Sequence, residues 1–70
     1  MNASSRNKII RMKDVIGTTG LSRSSIYQKI SSNQFPKQVR LGARAVGWVL
    51  DEVNNWVNHQ IEASRAGQDL

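Results

Sequence analysis

The chain contains no cysteine, which excludes disulfide frameworks and thiolate metal sites. That fits a reducing compartment, and a cytoplasmic location is expected. There is one histidine, one proline and only four aromatic residues, Tyr27, Phe35, Trp48 and Trp56. No apolar run approaches the roughly 20 residues of a membrane span, and the opening MNASSRNK has no apolar segment of the kind a signal peptide needs. No glycine-rich phosphate loop or nucleophile motif is present. His59 has neither a cysteine nor a paired carboxylate at ligand or general-base spacing. The expectation is therefore a protein with no metal, cofactor, membrane or small-molecule substrate, and with no catalytic activity.

Acidic residues are also scarce, and their distribution is informative. Residues 1–50 carry nine Lys/Arg against Asp14 alone, a net charge of +8, whereas residues 51–70 carry Arg65 against four acids, a net of −3. A basic body with an acidic final segment points to a polyanion-binding face, with ordinary solubility charge as the alternative. The 70 residues, 39% of them hydrophobic, suffice for one small globular domain, which buries about 60% of the surface its unfolded chain exposes. The expected organisation is a flexible N-terminus over 1–7, a folded domain over 8–62 and a frayed tail over 63–70.

Along the chain, KIIRM (Lys8 to Met12) is a short apolar patch read as a strand. KDVIGTTG puts Asp14 near a helix start, and Thr18-Thr19-Gly20 reads as the end of a helix of about two turns. Ser22 is a good N-cap for the next helix. Leu21 before the cap and Ile26 in the first turn form a hydrophobic staple. Ile26 and Ile30, four residues apart, share a core-facing side, and Ser31-Ser32-Asn33 end the helix.

Phe35 is placed to tuck into the core after this helix. QVRLGARAVGWV alternates on both sides of Gly42-Ala43-Arg44, which reads as a β-hairpin with Val39 and Leu41 inward, Arg40 outward, and Val46 and Trp48 together on one face. Asp51 is a candidate cap for a last helix whose apolar face carries Val53, Trp56, Val57 and Ile61. That helix is expected to fray near ASRAG, with Gly67 past its end. The order gives a mainly α fold with a small β-hairpin, a winged helix-turn-helix.

With Ile26 and Ile30 turned inward, steps of about 100° per residue place Ser24, Gln28 and Ser31 on the opposite side of the second helix. Tyr27 and Ser32 flank that side, Arg23 lies in the first turn and Lys29 points sideways. Small hydroxyls allow close approach to a groove, glutamine can pair bidentately with adenine and arginine with guanine. A tyrosine can donate to phosphate while its ring packs on sugars. Lys37, Arg40 and Arg44 lie in or before the hairpin, whose tip can reach phosphate or a minor groove. The alternatives are a solvated amphipathic helix and charge that protects a sheet edge. Trp48 and Trp56 are read as core because each shares a face with apolar neighbours.

Taken in this order, KIIRMKDVIGTTGLSRSSIYQKI, FPKQVRLGARAVGW and DEVNNWV resemble the AlpA family of prophage-type transcriptional regulators, from about Lys8 to Ile61. The resemblance implies a compact winged helix-turn-helix related to MerR-type regulators and phage excisionases. It also implies binding to double-stranded DNA near prophage or integrative-element genes, with control of transcription, often of an integrase, or promotion of excision. Carried onto this chain, it makes SRSSIYQK the recognition helix. Arg23, Ser24, Ser25, Tyr27 and Gln28 are then contacts, with Arg40 and Arg44 serving the wing. The family often has arginine at Gln28, glycine at Asn33 and proline at Ala43, departures that bear on site preference and wing shape.

Two other readings stand beside a sequence-specific regulator: an architectural factor that bends DNA for recombination, and a protein adaptor acting through residues 51–70. Self-association on repeated DNA half-sites fits a domain of this size.

Overall fold

A computed structural model describes residues 8–68. The flexible segment expected over 1–7, and the last two residues of the expected tail, lie outside the described residues. The elements are β1 (Ile9–Ile10), α1 (Met12–Thr19), α2 (Arg23–Ser31), β2 (Val39–Arg40), β3 (Val46–Val49) and α3 (Leu50–Gln68). The strands form one antiparallel sheet with β3 in the centre, in the order β1-β3-β2. The three helices and the hairpin make the fold a winged helix-turn-helix.

Every element except β2 contributes to the core, together with Phe35 from the connection after α2. Ile10, Met12, Val15, Ile26, Phe35, Trp48 and Val53 are buried, and Ile16, Leu21, Ile30, Val46, Leu50 and Trp56 pack around them. Trp48, Ile26, Val15 and Val53 are the largest side chains fully removed from solvent. Burying each contributes about 1.5–3 kcal/mol, a large share of the stability a domain this small can hold.

Local chemistry sets the helix ends. At the start of α1 the Asp14 carboxylate accepts from the Arg11 backbone N–H at 3.4 Å, close to the positive end of the helix. Gly20 follows the helix at φ 76°, a left-handed conformation that glycine adopts without a Cβ clash. The Thr19 hydroxyl donates to the Val15 carbonyl (2.8 Å) and accepts from the Leu21 N–H (3.1 Å), so one side chain ties the end of α1 to the tight turn. Ser22 caps α2 as expected, its Oγ accepting from the Ser25 N–H at 3.2 Å.

At the other end of α2, Asn33 sits at φ 60°. Its N–H donates to the Ile30 carbonyl, and the Gln34 N–H donates to the Lys29 carbonyl at 2.7 Å. This is a Schellman closure with asparagine in the position glycine usually takes. Beyond it, the Trp56 indole N–H donates to the Gln34 carbonyl at 2.8 Å. The Phe35 and Trp56 rings meet edge to face at 4.9 Å, which locks the connection onto α3.

Three features differ from the sequence reading. First, the hairpin is turned over. Val39 pairs with Gly47 and Arg40 with Val46, and directly opposed residues share a face of a sheet. Arg40 therefore stands on the face of Val46 and Trp48, while Val39 and Leu41 lie on the other face, 37% and 46% exposed. Trp48 determines which face of β3 turns inward, and β2 follows its register. On the outer face there is no room at Gly47. A Cβ there would collide with the Ile9 side chain and stand 2.9 Å from the Ile10 carbonyl.

Second, Asp51 is not the cap of α3. The helix starts at Leu50, directly after β3, and the Leu50 N–H donates to the Lys8 carbonyl at 2.9 Å. The strand ladder thus runs into the first turn, where Asp51 and Glu52 still favour the helix dipole. Third, α3 stays helical through Ala63–Arg65 and Gly67 to Gln68. Two alanines offset the single glycine, whose cost in a helix is about 1 kcal/mol. Ile61, on the expected apolar face, is 42% exposed because α3 has by then passed the body of the domain.

Candidate nucleic-acid interface

Helix α2 is held from below and open above. Ile26 is fully buried and Ile30 half-buried, while Arg23, Ser24, Gln28 and Ser31 are exposed. The outer face predicted from the 3.6-residue period is thus the solvent face. Tyr27 is divided between two roles. Its ring leans on Trp48 with centroids 6.4 Å apart and planes tilted by 59°, yet the residue remains 39% exposed. The phenol thus sits on a rigid support that links α2 to the central strand.

Ser25 is partly committed to the cap. It is half-buried, and its Oγ accepts from the Ser22 hydroxyl at 3.1 Å. Lys29 is half-buried too, in the last turn of α2, where a cation suits the negative end of the helix. It borders an open cleft of about 460 Å³ between the end of α2 and α3, which His59 and Trp56 also line.

The wing presents its charges differently. Arg44 is exposed in the turn that the Leu41 and Gly42 N–H groups close on the Ala45 carbonyl, at 2.8 and 3.2 Å. Lys37 is exposed in the approach to β2. Arg40 is exposed at the sheet edge, and the register sets it on the Trp48 face, which is also the face against which Tyr27 rests. An arginine that only guarded the sheet edge could stand on either face. Here the register fixes it on the Trp48 face, which Tyr27 of α2 also touches.

Sequence reasoning missed two residues that shape this surface. Thr19 holds the turn between α1 and α2, and its hydroxyl at the end of a short helix was a readable signal. Arg11 donates from Nε to the Val46 carbonyl at 2.9 Å, across 35 residues of sequence. No local pattern announces such a contact.

The arrangement offers exposed hydroxyl, amide and guanidinium donors on one helix, with further guanidinium groups on an adjoining hairpin. Surfaces of this kind, rich in donors and free of carboxylates, match phosphate oxygens and purine edges. Two short helices joined by a tight turn, the second with a free outer face, and a hairpin beside it define a small winged helix-turn-helix module.

The chain belongs to the family of the prophage CP4-57 regulatory protein (AlpA), which it matches over residues 8–61. It is 38% identical over 64 residues to an uncharacterized protein, ORF88, of Enterobacteria phage P4, a match covering 91% of this chain and 73% of that one. It is also 33% identical over 66 residues to the DNA-binding transcriptional activator AlpA of Escherichia coli strain K12, covering 86% of this chain and 94% of that protein. Among the described residues, no helix is long and apolar enough to cross a membrane, and no group of three or more His, Cys, Asp or Glu side chains is placed to hold a metal ion.

Proposed function

We propose that this chain is a sequence-specific regulator that binds double-stranded DNA of a prophage or integrative element and controls integrase expression or excision. The observation that carries the reading is a solvent-facing polar and basic face on α2 together with a hairpin whose arginines are exposed. Arg23, Ser24 and Gln28 are exposed on the helix, Arg40 and Arg44 are exposed on the hairpin, and the register puts Arg40 on the face of Trp48, which Tyr27 of α2 touches. The similarity to a DNA-binding transcriptional activator supports the same reading.

In this mechanism α2 enters the major groove. Gln28 and Arg23 read base edges, and Ser24 and the Tyr27 hydroxyl contact backbone oxygens. Ser25, whose Oγ also accepts from the Ser22 hydroxyl, is a further contact. Lys29, Lys37, Arg40 and Arg44 neutralise phosphates on either side. One such module covers few base pairs, so copies act together on repeated half-sites. The protein is then found on the nucleoid.

A mobility-shift assay on the element's own integrase promoter and attachment site tests the proposal. Preference for these fragments over random DNA is expected, with affinity falling steeply as salt rises. Equal affinity for random DNA would leave only non-specific binding. Integrase transcript and excision frequency, measured after deletion of the gene with the integrase driven from a foreign promoter, separate transcriptional control from a direct role in recombination.

A further inference from the structure

We propose that Arg11 is a positioning residue for the wing, acting on DNA through Arg40 and Arg44. The argument begins with the sheet register. Ile9 pairs with Val49 and Ile10 with Trp48, so a longer β1 would set residue 12 opposite Val46. The chain does not continue that way, because Met12 is already the first residue of α1.

On the other side of β3, Arg40 and Val46 are opposed, and the next pair toward the turn is bonded by the Leu41 N–H to the Ala45 carbonyl. In an antiparallel ladder bonded and non-bonded pairs alternate. Val46 therefore turns its carbonyl away from β2, toward the place that β1 has vacated. Arg11 supplies the missing donor, with Nε 2.9 Å from that carbonyl. A side chain thus takes over where the strand stops.

The consequence lies in the wing. β2 is only two residues long and has no buried side chain. Val46 is the last paired residue of β3 before the turn that carries Arg44. Helix α2 sits on Ile26 and needs no such tether, whereas the position of the wing depends on how the start of β3 is held. Arg11 fastens that point to the N-cap of α1, within the helix-turn-helix itself. The two groups of DNA-facing residues are thereby set in one frame.

The experiment uses the full chain. Backbone 15N relaxation at Gly42, Ala43 and Arg44, compared with Ser24 and Gln28 in α2, is measured for the native protein and Arg11→Met. The wing amides are expected to lose order while those of α2 keep theirs, with the circular-dichroism spectrum unchanged. Wing amides as ordered in the variant as in the native chain would overturn the proposal.

A second arm rests on the DNA-binding reading and uses sheared bacterial genomic DNA as the probe. Arg11→Met is expected to weaken binding about three- to tenfold, the range for one solvent-facing hydrogen bond. Arg44→Ala should then cost much less in the Arg11→Met background than in the native one, because Arg44 has already lost its place. Strictly additive losses would make Arg11 an independent phosphate contact and overturn the positioning role. So would full recovery of affinity in Arg11→Lys with the wing amides still disordered. A native chain that binds no DNA defeats the DNA reading alone, and relaxation still decides the role of Arg11.

Discussion

Helix α2 and the wing carry the same kinds of donor but are held in place by different means. The helix is capped at both ends by neighbours in sequence, Ser22 before it and Asn33 after it, and Ile26 anchors it in the core. The wing has a two-residue edge strand with no buried side chain, and its placement depends on how β3 is held, through Trp48 and Gly47 and through Arg11, 35 residues before Val46. An element held locally keeps its conformation when distant parts change. One held at long range can be shifted without unfolding the domain.

The largest expected effects break this comparison from each side. Ile26→Ala removes the anchor of α2 and leaves a cavity in a small core. A loss of about 2–5 kcal/mol is expected, read in urea unfolding, and most of the cooperative transition should disappear. Gly47→Ala strikes the wing side instead. The added methyl meets Ile9 and the Ile10 carbonyl, and relief requires β3 to move against β1. Overpacking of this kind costs about 1–3 kcal/mol. The comparison is sharpened if the folded fraction of Gly47→Ala keeps native α2 chemical shifts while those of the wing change. Equal disturbance of both would mean that the two regions are not separable.

On DNA the distinction becomes one of base against phosphate. Gln28→Ala is expected to remove about 1–3 kcal/mol of discrimination at one base position, with little change in binding to random sequence. Arg44→Ala is expected to weaken binding to all sequences alike and to lower the slope of log K against log salt by about one. Titrations of both variants on specific and random fragments at several salt concentrations check this. If Arg44→Ala altered base preference as strongly as Gln28→Ala, the wing would be a reader and not a clamp.

The same contrast explains what could be read from the residues alone. α1 with its end at Gly20, the Ser22 cap, the inward Ile26 and the burial of Phe35 all follow from residues a few positions apart, where caps and periodicity speak directly. The turn of the hairpin was readable for the same reason. The faces of β2 were not. Alternation in VRL says that Val39 and Leu41 lie together, but which face turns inward is decided by the demand of Trp48 for the core and the crowding at Gly47. Asp51 looked like a cap because acids start helices, yet the strand ladder reaching Lys8 had already set the start of α3. The outward face of α2 was legible, whereas the sheet face on which Arg40 stands depended on the register.

The smallest expected effect concerns the end of α2, where a purely local device can be tested by itself. Asn33 holds a left-handed conformation at φ 60°, the position at which the resemblance to the AlpA family expects glycine. Asparagine visits this region at lower cost than other residues with a Cβ. Asn33→Gly should therefore change stability by no more than about 0.5 kcal/mol, since relief of the backbone is offset by a freer unfolded chain. Asn33→Ala should cost about 1 kcal/mol, because alanine meets the steric penalty without compensation. Thermal melts of the two variants against the native chain make the measurement. If α2 is held locally, neither variant should alter DNA binding by the folded protein, because the Schellman bonds are made by backbone groups and Gln28 keeps its place one turn earlier. A drop in DNA affinity with Asn33→Gly would show that the end of α2 is also set from a distance, through the Trp56 bond to Gln34, and would erase the difference between the helix and the wing.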